Sequence, residues 1–170
     1  MIEWQQVDNQ MTTFAEFNEW LKNLEDTKLE FKAAENDFNK GRRLPDYCAA
    51  LANEGGGKLI LGVSDKRQVV GSKAFSGTHN TLAHELLDKL KIRVDVEELI
   101  HPEGRVLIFH VPSHNPGQLV KSTGDYTYPM RAGESLVEMD INTLKRILSE
   151  TAPDYSSRIM FDFSIFLHLE

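Results

Sequence analysis

The chain has 170 residues, enough for one well-buried domain and too few for two of ordinary size. Its apolar runs are much shorter than the roughly 18 residues of a membrane span, and its polar, acidic N-terminus is unlike a signal peptide. A single cysteine, Cys48, excludes an intrachain disulfide. These features together predict a cytoplasmic protein with no membrane partner.

The net charge of −7 argues against a surface built throughout for nucleic acid, because phosphate contacts need lysine and arginine. The charge is unevenly distributed, however. Nine basic and six acidic residues lie between Lys28 and Lys73, so this segment is positive while the remainder is strongly acidic. The distribution predicts a local basic face on an acidic body.

The first half of the chain predicts two helices separated by a strand. Apolar residues of 14–24 recur at helical spacing behind a threonine cap, either Thr12 or Thr13. The segment KLEFKAA (28–34) alternates between apolar and charged side chains, which is typical of a strand. The segment PDYCAALANE (45–54) is predicted as a short helix with proline in its first turn.

The second half mixes strands and helices. Its predicted strands are KLILGVS (58–64), a returning VVG (69–71), the hairpin pair RVDVEELIH (93–101) and GRVLIFHVPS (104–113), and YTYPMRAGES (126–135), which runs into a turn. Two amphipathic segments, 76–91 and 139–150, are predicted as helices, the second behind a cap at Asp140 or Asn142. This order predicts an α+β fold, with one mixed, largely antiparallel sheet and about four helices packed on it.

Three consecutive glycines, Gly55 to Gly57, stand between the second predicted helix and the KLILGVS strand. A phosphate-binding loop has the opposite order, with the glycines between a strand and a following helix. Glycine directly after a helix is the ordinary C-cap, because it adopts a left-handed backbone without a Cβ penalty. The glycines therefore predict a tight corner; the alternative is a bare backbone that lets a ligand approach closely.

Glu30 and Lys32 lie two apart on the predicted strand and therefore share a face. A carboxylate and a lysine in this relation suit a metal-dependent phosphodiesterase, in which the carboxylate holds Mg²⁺ or Mn²⁺ and the lysine steadies the attacking water or the phosphate. Glu25 and Asp65 complete a set of three carboxylates if the KLILGVS strand pairs beside KLEFKAA. On an exposed strand face, such a pair is more often solvated charge.

Further basic and aromatic residues are candidates for nucleic-acid contacts. Arg42 and Arg43 lie in a polar loop and fit phosphate contacts that position nucleic acid without reading its sequence, although such a loop is often merely solvated. Tyr126, Tyr128 and Arg131 fit base stacking or backbone contact. Alternating tyrosines on a strand are more often half-buried sheet residues.

Three segments together resemble the AlbA_2 domain of Schlafen proteins and bacterial regulators: LEDTKLEFKAA (24–34), CAALANEGGGKLILGVSDKRQVVG (48–71) and YTYPMRAGES (126–135). The similar region runs from about Glu25 to about Leu148. The resemblance implies a nucleic-acid-binding domain of a bacterial transcriptional-regulator-like protein, with DNA or RNA as its partner. Because such domains are often fused to a helix-turn-helix or helicase-like region, it also implies a further C-terminal domain.

The same resemblance implies an alternative function. Some Schlafen proteins cleave tRNA and rRNA with two glutamates and an aspartate that hold a divalent metal, and those acids fall on Glu25, Glu30 and Asp65 here. Two departures are visible: Glu54 stands where the family often has a small hydroxyl residue, and the DKRQ turn lacks the usual glycine. Schlafen nucleases clamp RNA between two such lobes, so a homodimer would have to supply the second lobe of this chain.

Three hypotheses follow. The first is nucleic-acid binding through six cations: Lys28, Lys32, Arg42, Arg43, Lys58 and Arg131. The second is an endoribonuclease with Mg²⁺ or Mn²⁺ on Glu25, Glu30 and Asp65, assisted by Lys32. The third is a structural or dimerising module. Residues 1–150 are predicted as the domain, and the aromatic segment 151–170 as a linker or arm toward a missing C-terminal region. The last two residues of this segment, Leu-Glu, are typical of a vector-derived end.

Overall fold

The structure, a computed structural model, describes residues 11–23 and 28–151. Within these ranges the elements in chain order are α1 (Phe14–Lys22), β1 (Leu29–Lys32), α2 (Arg43–Asn53), β2 (Gly57–Leu61), a short 3-10 turn (His79–Thr81), α3 (Leu82–Leu90), β3 (Asp95–His101), β4 (Gly104–Val111), β5 (Pro129–Ala132), β6 (Ser135–Glu138) and α4 (Ile141–Leu148). The predicted arm falls almost wholly on residues 152–170, which lie outside the described part of the chain.

Four strands form the main sheet, in the order β1-β2-β4-β3. Strands β1 and β2 are parallel, with Glu30 opposite Leu59, whereas β4 is antiparallel to both of its neighbours. The predicted α+β fold with a mixed, largely antiparallel sheet is therefore confirmed. The strands β5 and β6 form a separate antiparallel hairpin, so the expectation of a single sheet was wrong.

The central strand β2 is buried on both faces of the sheet. Leu59 and Leu61 belong to the hydrophobic core beneath α2 and α3, whereas Ile60 belongs to a second core with Phe17 of α1 and Ile108 of β4. A strand covered on both sides needs apolar residues at every position rather than at alternate ones. This requirement explains the continuous apolar run in the sequence.

The helix boundaries follow their caps. The Thr13 hydroxyl accepts a hydrogen bond from the Glu16 backbone N–H at 3.2 Å, and the Glu16 carboxylate accepts one from the Thr13 N–H at 2.8 Å, so Thr13 is the cap of α1. Helix α2 begins at Arg43, two residues before the predicted Pro45. Cys48 lies inside α2 and is fully buried, and this burial raises the pKa of its thiol.

Two predictions on strands need correction. The VVG segment is not a returning strand, because it forms only a single β-bridge, between Val63 and Val69. The N–H groups of residues 70 and 71 both donate to the Gly62 carbonyl, so the regular strand pairing does not continue. Strand β5 begins only at Pro129, so Tyr126 and Tyr128 precede it in an irregular segment. No helix among the described residues has the length and apolarity needed to cross a membrane.

The glycines form the predicted corner between α2 and β2. Gly55 and Gly56 have φ angles of +102° and +87°, and the Gly56 N–H donates to the Leu51 carbonyl at 2.8 Å to close the helix. A Cβ on Gly56 would lie 2.8 Å from the backbone nitrogen of Ser113. A Cβ on Gly57 would overlap the carbonyl oxygen at position 28. The second and third glycines are therefore required by the close passage of neighbouring backbone.

Candidate nucleic-acid interface

Glu30 lies between two cations. Its Oε1 is 2.8 Å from the Lys32 Nζ, and its Oε2 is 3.1 Å from the Arg131 Nη1. The three side chains are only 11%, 18% and 12% exposed, in that order from Glu30 to Arg131. The interpretation of Glu30 and Lys32 as solvated charge on an open strand face is therefore wrong, since helix α2 and the β5–β6 hairpin contact this end of β1.

Arg131 is anchored on its other side by Glu54. The Arg131 Nε donates to Glu54 Oε2 at 2.7 Å, and the Arg131 backbone N–H donates to Glu54 Oε1 at the same distance. The Arg131 Nη1 also reaches the Leu29 carbonyl at 3.3 Å. Lys32, Glu30, Arg131 and Glu54 thus form a network of alternating charges that sum to zero.

Lys32 stays positively charged despite its partial burial. Burial by itself lowers the pKa of Lys32, but the hydrogen bond and the negative charge of Glu30, together with Tyr47, outweigh it and raise the pKa. The Lys32 Nζ lies 5.0 Å from the centre of the Tyr47 ring. The cation is therefore held between a carboxylate and an aromatic face.

Asp65 lines the same cleft as Glu30 and Lys32, a space of about 140 Å³ that also includes Arg67 and Glu134. Because β1 and β2 run parallel, the residues that follow β2 reach the end of β1 where Lys32 lies. This is the juxtaposition that the sequence predicted for Asp65. The third predicted ligand, Glu25, lies outside the described residues.

A divalent metal does not fit this arrangement. Among residues 11–23 and 28–151, no group of three histidine, cysteine, aspartate or glutamate residues is placed to hold a metal ion. Both carboxylate oxygens of Glu30 are already paired with cations, which puts two positive charges where a metal would bind. The metal-ligand roles of Glu25, Glu30 and Asp65 stay predictions.

A second cleft, of about 380 Å³, lies at the glycine corner. Its walls include the backbone of Gly55 to Gly57 and the side chains of Lys28, Lys58 and Arg93. Asp95 also lines the cleft and pairs with the Arg93 Nε at 3.2 Å. Among the described residues that line this cleft, three cations stand against one carboxylate, so this part of the surface is positive on a chain whose net charge is −7.

The remaining predicted cations lie at the start of α2. The Arg42 Nε is 3.7 Å from Asp125 Oδ1, with most of the side chain exposed. The Arg43 guanidinium lies 5.8 Å from the centre of the Tyr47 ring, the same ring that Lys32 contacts. The six cations named from the sequence thus fall into three groups, at the glycine corner, around Glu30 and at the start of α2.

Glu54 is one of the residues of this site that the sequence did not identify. In the sequence it appears only as an acid at the end of a helix and as a departure from the family pattern. Its partner Arg131 is 77 residues away, on a hairpin whose second strand was not predicted. No spacing rule connects two such positions.

Comparison with known proteins identifies the family. The sequence profile of the Schlafen AlbA_2 family matches residues 25–140, and the chain belongs to this family. None of the curated proteins matches the chain.

Two of the solved structures that are similar to this chain belong to proteins of Corynebacterium diphtheriae and Nitrosomonas europaea. The crystal structure of the DIP2311 protein from Corynebacterium diphtheriae is 20% identical, with a TM-score of 0.57; the alignment covers 78% of this chain and 29% of that one. This chain therefore spans less than a third of that protein, and the likeness shows the fold alone. The N-terminal domain of a RecG-related protein from Nitrosomonas europaea is 18% identical, with a TM-score of 0.46 and coverage of 74% and 91%.

Proposed function

We propose that this domain binds nucleic acid through the phosphate backbone, along the side of the sheet that carries β1. The positive cleft at the glycine corner is the observation that supports this function most directly. Lysine and arginine residues line this cleft, and the space beside Gly55 is open, so a phosphate can approach the backbone closely at that position. Membership of the AlbA_2 family, with the nucleic-acid-binding role that the resemblance implies, supports the same proposal.

The surroundings of the corner favour a single strand over a duplex. The Lys58 Nζ lies 5.0 Å from the centre of the Trp20 ring, so an aromatic side chain stands beside a phosphate-binding cation. Proteins that bind single strands combine a positive groove with aromatic faces on which bases stack. Contacts of this kind depend little on sequence, and their affinity falls steeply with salt.

The test is a salt titration with fluorescently labelled single-stranded RNA, single-stranded DNA and duplex DNA. We expect the double variant Lys28→Gln/Lys58→Gln to flatten the plot of log affinity against log salt by about 1.4, because each phosphate contact with a single strand contributes a slope of about 0.7. Lys89→Gln is the matched control, since Lys89 lies on α3, which contacts β3 at the far edge of the sheet. Equal slopes for the wild type and the double variant would contradict the proposal.

A metal-dependent ribonuclease is the second candidate. The observation that favours it is that Glu30, Lys32 and Asp65 line one and the same cleft. Incubation with structured RNA, with and without Mn²⁺, tests it. Cleavage that requires Mn²⁺ and is lost in Glu30→Gln supports the nuclease. Binding without cleavage supports the first proposal.

A structural or dimerising role is the third candidate. Helix α4 exposes Ile141 and Leu148, at 64% and 57%, which is the observation that favours an interface on this helix. A homodimer and a further C-terminal domain remain predictions. Sedimentation analysis of the wild type and of Ile141→Ser tests the dimer. If α4 forms the interface, the wild type sediments as a dimer and Ile141→Ser as a monomer.

A further inference from the structure

The cleft at the end of β1 contains a guanidinium that its surroundings do not satisfy. We propose that this cleft receives a single base of a bound strand, and that Arg67 and Asp65 select guanine through hydrogen bonds to its edge. The inference rests on the proposed binding of single-stranded nucleic acid and adds a base preference to it. The glycine corner holds the strand by its phosphates, whereas the cleft distinguishes one base from another.

Arg67 has a donor without an acceptor. Its Nη1 is buried, and no atom within residues 11–23 and 28–151 accepts a hydrogen bond from it. The carboxylates of Glu30, Asp65 and Glu134 line the same cleft, yet none of them pairs with this nitrogen. A buried donor without a partner destabilises the folded state, so a ligand that supplies the acceptor removes this cost when it binds.

Two features hold the Arg67 guanidinium in place. Its Cζ lies 4.1 Å from the centre of the Phe31 ring, so an aromatic face of β1 supports the cation. The backbone of Arg67 has a φ of +61°, a left-handed conformation that is strained for a residue with a Cβ, and its N–H donates to the Ser64 carbonyl at 2.9 Å. The guanidinium is therefore ordered before a ligand arrives, which lowers the entropic cost of binding.

The charges of the cleft favour a neutral ligand. Lys32 and Arg67 line it together with three carboxylates, and the Arg131 Nη1 lies 3.1 Å from one of them, that of Glu30. Three cations thus stand against three carboxylates among the described residues, so a phosphate would meet no excess of positive charge. A base has donors and acceptors without a net charge, and it can pair with side chains of both signs.

Guanine matches the side chains that remain available to a ligand. Glu30 is engaged by two cations, whereas Asp65 and Glu134 are exposed where they line the cleft. The O6 and N7 atoms of guanine accept hydrogen bonds from a guanidinium. Its N1–H and N2–H groups are adjacent donors on the Watson–Crick edge and suit a carboxylate. Arg67 and Asp65, two residues apart on one turn, supply one group of each kind.

The size and the position of the cleft fit one base. Its volume of about 140 Å³ is below the roughly 300–1,000 Å³ of sites for drug-sized ligands, so it suits a single ring system better than a whole nucleotide. Lys58 lies opposite Leu29, three residues before Lys32, so roughly 10 Å of strand separates the glycine corner from the cleft. A nucleic acid strand held at the corner covers this distance within a few nucleotides.

Fluorescence anisotropy with a labelled oligouridylate of about eight nucleotides tests the inference. A single guanosine is placed at each position in turn, and the salt concentration is held constant. We expect the full chain to bind the best guanosine-containing strand roughly 5- to 100-fold more tightly than the all-uridine strand, as one good bidentate contact allows. Inosine, which lacks the N2 amino group, and 7-deazaguanosine, which lacks N7, are each expected to lose part of this preference.

The variants Arg67→Gln and Asp65→Asn are expected to bind the guanosine and all-uridine strands equally. Lys66→Gln is the matched control, because Lys66 is an exposed cation on the same turn but outside the set that lines the cleft, and it is expected to keep the preference. Arg67→Lys keeps the charge without the planar pair of donors and is expected to lose the preference. Circular dichroism and thermal melting establish that each variant is folded, and Arg67→Lys carries the test if Arg67→Gln does not fold.

Any of three results would overturn the inference. One is salt-dependent binding of the wild type with equal affinity for the all-uridine and guanosine strands. Another is a guanosine preference that the folded variants at Arg67 and Asp65 retain. The third is competition by guanosine monophosphate as strong as that by the strand, which would assign the cleft to a free nucleotide. Absence of salt-dependent binding to every strand is a separate outcome, because it refutes the proposed function and this inference together.

Discussion

Asn53, the last residue of α2, connects this helix to the irregular chain that follows β4. Its side chain is 2% exposed. The Asn53 Nδ2 donates to the Val120 carbonyl at 2.9 Å, and its Oδ1 accepts from the Val120 N–H at 2.8 Å. One buried side chain thus satisfies both backbone groups of Val120. We expect Asn53→Ala to destabilise the domain by roughly 2–6 kcal/mol.

The magnitude follows from the groups left behind. Alanine removes both partners of Val120 and leaves a buried N–H and a buried carbonyl unpaired, each at a cost of about 1–3 kcal/mol. Domains of this size are typically stable by about 5–15 kcal/mol, so the loss is a large fraction of the total. The adjacent carbonyl of Ala52 keeps its bond from the His114 N–H at 2.9 Å, which limits the damage to the immediate surroundings of Val120.

Urea denaturation followed by circular dichroism and tryptophan fluorescence measures the free energy of unfolding. The transition midpoint is expected to fall with an unchanged m-value, because the core is otherwise intact. Asn18→Ala, on the exposed side of α1, is the matched control and is expected to change stability by no more than about 0.5 kcal/mol. A loss below about 0.5 kcal/mol for Asn53→Ala would refute the reasoning from paired backbone groups.

Two further predictions concern the glycine corner and the last helix. Gly57→Ala is expected to lower the urea midpoint more than Gly55→Ala, because its Cβ would overlap the Lys28 carbonyl oxygen, whereas the space around a Cβ on Gly55 is open and only the left-handed backbone is strained. The Thr143 hydroxyl and backbone N–H groups lower the pKa of Asp140, the cap of α4, below its ordinary value of 3.8. The ionised carboxylate therefore contributes fully to stability above pH 3.8. This contribution is lost as the pH falls through the lower pKa of the folded state. The difference in unfolding free energy between wild type and Asp140→Asn is therefore expected to shrink below about pH 3.8, and a denaturation series across acidic pH measures it; a difference independent of pH would contradict the assignment.

The elements that the sequence predicted well have their signals close together in the chain. The cap of α1 consists of Thr13 and Glu16, three residues apart. The corner at Gly55 to Gly57 follows its helix directly, and the apolar run of β2 reports that the strand is buried on both faces. Local propensity and periodicity are sufficient for such features.

The elements that the sequence missed depend on distant partners. Strand β6 has only four residues and mostly exposed side chains, so neither alternation nor an apolar run marks it. The pairing of Glu54 with Arg131 needs the hairpin to fold back onto α2, and this contact forms only in the tertiary structure. The sequence paired Glu30 with Lys32 on one strand face, but it named Arg131 only as a phosphate contact and did not predict that Arg131 contacts Glu30.

The contact of Arg131 with the Leu29 carbonyl gives the network a second role at the edge of the sheet. Within residues 11–23 and 28–151, strand β1 has a single strand neighbour, and an unpaired strand edge is a template for pairing with other chains. The hairpin approaches this edge through Arg131, which donates to a β1 carbonyl and to the Glu30 carboxylate at once. Protection of the edge and neutralisation of Glu30 therefore depend on the same guanidinium.

Lys32, the member of the Glu30 network farthest from the glycine corner, lies at the other end of β1, whose four residues span roughly 10 Å. Lys58 lies opposite Leu29 at the beginning of β1, whereas Lys32 ends the strand. Nucleic acid that reaches from the corner toward Lys32 must therefore pass the hairpin at Arg131.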